Sequence, residues 1–169
     1  RRIILDGSTS TPRPSFCPFS YRPLIPLHFM FNSPLLLSTW SFARTAHEKV
    51  FPALEAGGTS LDAVEHVCRI IEDDPGIDSV GYGGLLDAEG GMTLDGCVMQ
   101  SPSRCGSVCA VTRNRHPVTA ARLVMERSPH VMLAGAGADA FIAAQGMKDT
   151  PVVAPGSTEK WHTWRRTSG

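Results

Sequence analysis

The sequence predicts a mixed α+β domain in which an antiparallel pair of strands carries helices packed on a face. Three observations lead there. Two strand-like segments, 92–99 and 105–112, follow one another with only a Ser-Pro-Ser-rich turn between them, the kind of connection an antiparallel pair allows. Helical segments with recognisable start and stop residues lie before and after that pair, a pattern that is neither all-α nor all-β. Glycine (16) and proline (13) are frequent among the 169 residues, which implies many turns and argues against a plain helix bundle.

The first stretch, 1–32, has no period of two or of 3.6. It holds Pro12, Pro14, Pro18, Pro23 and Pro26 and one acidic residue, Asp6. Proline at that density blocks helix interiors and central strands. The expectation is a disordered or non-native leader. As a targeting peptide it is poor: its apolar stretch is broken by Pro26, and no Ala-x-Ala-like site follows. The first methionine is Met30, just before the orderly sequence begins, so translation is expected to start there.

Residues 33–169 are then expected to fold. The apolar run 34–40 reads as a short buried strand. Residues 43–56 have helical composition and stop at Gly57-Gly58. Pro52 inside them should kink the helix or restart it, at a cost of about 3 kcal/mol if uncompensated. Thr59 or Ser60 caps a second helix, with Asp62 favourably placed in its first turn. Leu61, Val64, Cys68 and Ile71 recur as one apolar stripe. The helix ends near Asp73-Asp74 because Pro75 follows. A glycine loop, 79–84, precedes the strand pair. A third helix opens at Pro117, a favoured first-turn residue, and runs to about Arg127, with Ala120, Ala121, Val124 and Met125 as its apolar positions. Residues 130–134 read as a strand, 138–145 as a helix stopped by Gly146, and 160–166 as a last amphipathic turn or two.

Charge and composition exclude several functions. Lys+Arg and Asp+Glu are each 16, so the net charge is zero; nothing marks a surface for nucleic acid or an anionic membrane. The apolar runs are far shorter than the roughly 18–20 residues of a membrane span. Neither nucleic acid nor membrane is therefore expected as a partner. The five cysteines (Cys17, Cys68, Cys97, Cys105, Cys109) form no disulfide framework and no zinc spacing, and read as small buried apolar residues. No histidine sits in a metal-ligand pattern, and His66 with Asp62 reads as a surface pair on one helix. Residues 135–140 fit G-x-G-x-x-A between a strand and a helix, yet no acidic residue ends the next strand to hold a ribose. They read as a strand–turn–helix glycine corner. The 81–84 glycines lack the Lys-Ser/Thr of a phosphate loop, and no G-x-S-x-G elbow is present.

Several segments taken together resemble the first half of the glycosylasparaginases, N-terminal-nucleophile hydrolases of the asparaginase 2 family. They are Leu37-Ser38-Thr39-Trp40-Ser41-Phe42, the Ala56-Gly57-Gly58-Thr59-Ser60-Leu61-Asp62-Ala63-Val64-Glu65 stretch, Glu72-Asp73-Asp74-Pro75, Ser79-Val80-Gly81-Tyr82-Gly83-Gly84, Thr93-Leu94-Asp95-Gly96-Cys97-Val98-Met99 and Pro129-His130-Val131-Met132-Leu133. The resemblance implies a four-layer α-β-β-α sandwich, of which this chain would hold the first half. It implies a precursor that cuts itself before a threonine, leaving an α and a β portion together, in an (αβ)2 assembly. The freed threonine would attack the side-chain amide of glycosylated asparagine with its own α-amine as base, without cofactor or metal. It also implies a lysosomal, periplasmic or secreted setting, and isoaspartyl peptidase/L-asparaginase as the nearest alternative activity.

Residue by residue, the resemblance makes Trp40 the wall of the substrate funnel, with Phe42 supporting it. It makes Ser79 the hydroxyl that holds the threonine's amine. Without it, Trp40 reads as a core tryptophan and Ser79 as a serine capping its own turn. The nucleophile's own motif, Asp-Thr followed by an apolar residue and glycine, does not occur. Asp149-Thr150 runs into Pro151 instead. The third possibility, from a different class, is a truncated, non-catalytic product.

Overall fold

The structure is a computed structural model that describes residues 33–167. The leader expected over 1–32, the start expected at Met30, and Cys17 and His28 lie outside the described residues. Within them the elements run α1 (Arg44–Glu55), α2 (Ser60–Glu72), β1 (Leu94–Ser101), β2 (Arg104–Val111), α3 (Pro117–Arg127), β3 (Met132–Ala134), α4 (Gly135–Ala144) and α5 (Pro155–Thr167). The mixed α and β character is as expected.

The segment 34–40 is not a buried strand. It pairs with no described strand, and Leu35, Leu37 and Trp40 are 56%, 79% and 62% exposed. A short apolar run does not distinguish a strand from a loop that lines a cavity. Leu36 alone of the three leucines packs against the neighbouring helices. A 3-10 turn, Ser41–Ala43, leads into α1. That helix passes through Pro52 as one element rather than restarting there. Pro52 falls in the last turn, where a single backbone hydrogen bond is forfeited close to an end that would fray anyway. The stop comes at Gly57, whose φ of +96° lets the chain turn out of the helix while its N–H donates to the Leu54 carbonyl at 3.1 Å.

Thr59 caps α2, and the cap is reciprocal. Its Oγ1 accepts from the Asp62 N–H at 3.1 Å and donates to the Asp62 carboxylate at 2.7 Å. The buried stripe is rotated from the one the spacing predicts. Ala63, Val67 and Ile71 join Ala43, Ala46 and Val50 in one apolar cluster, whereas Val64 is 42% exposed. The small Ala63 and Ala46 allow α1 and α2 to approach there, which outweighs the larger Val64. Asp62 does not pair with His66 either; Arg122 of α3 takes its carboxylate at 2.6 Å.

β1 and β2 form the expected antiparallel hairpin, Ser101 pairing with Arg104 across its tight turn, and β2 pairs with β3 in parallel. A bulge interrupts the ladder between Leu94 and Gly96. Opposite it Ala110 adopts φ +53°, and the Asp95 carboxylate accepts the Ala110 N–H at 2.7 Å. α3 lies directly on the hairpin, because Gly96 and Gly106 present bare backbone to it. A Cβ on Gly96 would come within 2.5 Å of the Pro117 backbone, and one on Gly106 would overlap the backbone of Ala121 and Met125. The second apolar cluster forms here from Leu94, Val108, Val111, Ala120, Val124, Ala138 and Ile142.

Strand alternation sends Asp95, Cys97 and Met99 to the other face. No described element covers that face, and Met99 and Met132 are 66% and 59% exposed. Cys97 is thus exposed, and Cys68, Cys105 and Cys109 are half-buried; the reading of all of them as buried fillers does not hold. At the 135–140 corner, β3 turns directly into α4. There the buried Asp139 accepts from the Thr112 hydroxyl at 2.8 Å. The last helix, α5, is longer than expected and buries Ser157.

Two stability changes follow from this backbone. Replacing Gly106 by Ala must lift α3 from the sheet, and thermal or urea unfolding should show a loss of about 1–3 kcal/mol. Replacing Ala110 by Gly should do the opposite, since relief of a left-handed alanine is worth about 1–2 kcal/mol and the added chain entropy removes only part of it. A fall in unfolding midpoint for Ala110→Gly would contradict the strain assigned to the bulge.

Candidate active site

A cleft of about 1090 Å³ lies where the 37–42 segment, α2, the 78–85 loop and the start of β1 meet. Trp40, Phe42 and Ser79 all line it. Trp40 and Phe42 stack with ring centres 5.9 Å apart and planes 6° from parallel. The pair follows from the 3-10 turn at Ser41–Ala43: Phe42 is half-buried against the α1–α2 cluster, and Trp40, one residue before the turn, stays exposed. The result is a flat aromatic wall with a free face. Ser38, beside it, meets Nε2 of His47 at 2.7 Å and ties the segment to α1. No described carboxylate holds the other nitrogen of that ring, so the pair lacks the orienting group of a hydrolytic triad.

Ser79 opens the glycine loop and is exposed. Among the described residues its hydroxyl makes no hydrogen bond. The loop after it is closely held. Gly81, at φ +65°, lies so near the end of α2 that a Cβ would come within 2.6 Å of Glu72 Cα, and Gly83 leaves no room against Pro75 and Ile77. Side chains are excluded there, so the glycines are required by the seating of the loop.

The polar groups around the cleft are mostly occupied with structure. Glu72 is 8% exposed. Burial pushes its carboxyl up, and hydrogen bonds from His116 and from the Val118 N–H oppose that shift. These contacts are 3.4 Å to His116 Nδ1 and 3.1 Å to the Val118 nitrogen. The Cys68 thiol is pushed up to about 11, first by burial and then by the nearby Glu72. It stays protonated near neutral pH and is a poor nucleophile. Among the described residues no group of three or more His, Cys, Asp or Glu is arranged to hold a metal ion. None of the described helices is long and apolar enough to cross a membrane.

Sequence reading brought forward Trp40, Phe42 and Ser79, which the structure places on one cleft, and missed Glu72, Asp95 and Cys68. Glu65 and Glu72 lie two turns apart on one helix, a spacing that does signal a shared face. Asp95 carries no such signal, because only the bulge reveals what its carboxylate does.

The family model described as asparaginase matches residues 33–168. The chain is 44% identical, over 137 residues, to an N(4)-(β-N-acetylglucosaminyl)-L-asparaginase of Elizabethkingia miricola, covering 81% of this chain and 40% of that protein. It is 32% identical to the mouse protein of the same name, over 78% of this chain and 38% of that one. It is 46% identical to an isoaspartyl peptidase of Salmonella typhimurium, over 56% of this chain and 30% of that protein. The match thus spans less than half the length of each of these relatives. A family match over residues 33–168, joined to these identities, shows that the chain belongs to the asparaginase family.

Proposed function

We propose that this chain is the α portion of an amidohydrolase that cleaves the side-chain amide of glycosylated asparagine and releases aspartate. The observation that carries the reading is the convergence of Trp40, Phe42 and Ser79 on one cleft. The long match to a glycosylated-asparagine hydrolase supports it, covering 81% of the chain against 56% for the isoaspartyl peptidase. Isoaspartyl peptidase/L-asparaginase activity is the second reading, favoured by the slightly higher identity of that shorter match, 46%.

In this reading the nucleophile is an N-terminal threonine on a β portion that this sequence does not supply. Its hydroxyl adds to the amide carbon, its α-amine takes the hydroxyl proton, the glycosylamine leaves, and water then releases aspartate from the β-aspartyl ester. Ser79 holds that amine. A hydroxyl already used by its own turn could not do so, whereas the Ser79 hydroxyl is unengaged among the described residues. Trp40 offers its exposed face to the substrate, and Phe42 sets the angle of the indole.

The uncovered sheet face is consistent with a partner. On it Met99 and Met132 are 66% and 59% exposed, apolar side chains that a second layer would cover. The β portion would bring a second sheet onto that face, completing an α-β-β-α sandwich, with two αβ units pairing.

The chain by itself should release no aspartate from glycosylated asparagine. Together with a nucleophile-bearing β portion it should turn that substrate over in preference to β-aspartyl dipeptides. Faster cleavage of the dipeptides would transfer the assignment to the isoaspartyl peptidases. In that active form Ser79→Ala should lower kcat by about 10²-fold with little change in KM. Trp40→Ala should act chiefly on KM, and steady-state kinetics separates the two.

A further inference from the structure

We propose that Arg115 and Ser157 are positioning residues for Ser79, clamping the loop that carries it from two sides. The inference rests on the reading of Ser79 given above and adds how that hydroxyl is held in place. Ser79 has no hydrogen bond of its own among the described residues, so its position is set by the backbone on either side of it: Asp78, 3.5 Å from Lys160, before it and the glycine loop after it.

Two distant parts of the chain grip that loop. On one side the Arg115 guanidinium lies 4.8 Å from the centre of the Tyr82 ring. Its Nε is 2.9 Å from the carboxylate of Asp73, the residue that ends α2, a contact of charge whose angle is not that of a hydrogen bond. The planar cation therefore spans from the end of the helix to the aromatic side chain of the loop, using its charge for one contact and its face for the other. On the other side Ser157, 3% exposed at the start of α5, donates its hydroxyl to the Gly83 carbonyl at 3.0 Å. The Ala154 N–H donates to the Tyr82 carbonyl at 3.0 Å beside it.

Tyr82 and Gly83 are thus fixed at ring and backbone, and the glycines seat the loop on Glu72. Ser79 is left as a free hydroxyl on a rigid arm. That arrangement suits a group that must meet a reacting partner in one geometry, because loss of about 1 Å of precision can cost 10²-fold in rate. Asp73 and Arg115 are both partly exposed, so their pairing adds little to global stability. The effect of breaking the clamp is accordingly local.

Hydrogen exchange on the full 169-residue chain tests the clamp without any activity. Arg115→Lys keeps the charge and loses the planar stack, and Ser157→Ala removes the hydroxyl donor. Each should speed exchange of the hydrogen-bonded Gly84 amide of the 80–84 segment, which donates to the Gly81 carbonyl, about tenfold and leave the amides of α3 and the hairpin unchanged. Unaltered exchange at Gly84 in both variants would overturn the proposal, as would uniform acceleration throughout the chain. In the catalytically complete protein, each variant should lower kcat about tenfold with KM within twofold. Neither should lower it further in a Ser79→Ala background, and an additive loss there would show that they act other than through Ser79. If Ser79→Ala alone had no effect, the active-site reading would fail, and the exchange result would still decide the clamp.

Discussion

Two buried glutamates on one helix hold the described part of the molecule together. Its apolar interior is divided: one cluster lies between α1 and α2, the other between the sheet, α3 and α4. The α2–α3 seam joins them, and the seam is polar. Glu65 accepts from the Thr119 hydroxyl at 2.6 Å and from Arg122 at 2.7 Å, and Glu72 accepts from the first turn of α3. A buried carboxylate without partners would cost several kcal/mol. Here each oxygen has one, and the directionality of those bonds fixes the angle between the helices in a way that apolar contact alone does not. Arg122 reaches Asp62 and Glu126 as well, so one guanidinium ties three carboxylates into a local network.

The cleft inherits its shape from that seam. Glu72 is both a member of it and part of the cleft lining, and the glycine loop rests on the backbone of the same residue. The aromatic wall is attached to the other side of the same helix through the α1–α2 cluster. Trp40 and Ser79 are far apart in sequence, and their relation is set by α2, which touches both supports. The mechanism proposed for this cleft needs that relation to be fixed, since the wall would orient substrate and the serine would orient the nucleophile's amine.

Local chemistry made much of this legible in the sequence. Thr59 with Asp62 declared a helix start, Gly57 a stop, and Pro117 the first turn of α3. Each acts on the backbone within a few residues of itself, independently of the rest of the fold. The Ser-Pro-Ser turn likewise announced the hairpin. What failed depends on a neighbour in each case. The leucines of 34–40 have strand-like apolarity but no ladder partner. The stripe on α2 is set by where small residues let α1 approach, so Val64 turns out and Ala63 turns in. Cys97 reads as a filler, yet alternation along β1 places it on the uncovered face. Trp40, Phe42 and Ser79 were legible only as parts of recurring segments, because an exposed tryptophan and a loop serine carry no chemistry in their spacing.

That same alternation ties the cleft to the open sheet face. In β1, Leu94 and Val98 enter the core under α3, so Asp95, Cys97 and Met99 must emerge on the opposite side. Asp95 and Cys97 also line the cleft. The strand is therefore a shared edge, with Met99 farther along it on bare sheet and Asp95 nearer the Ser79 loop. Asp95 cannot move independently, since its carboxylate holds the Ala110 N–H across the bulge. Any layer that settles on the apolar part of the face would be guided along a rigid strand to the cleft margin. In the proposed two-portion enzyme, burying that face and bringing a nucleophile up to Ser79 would then be one docking event.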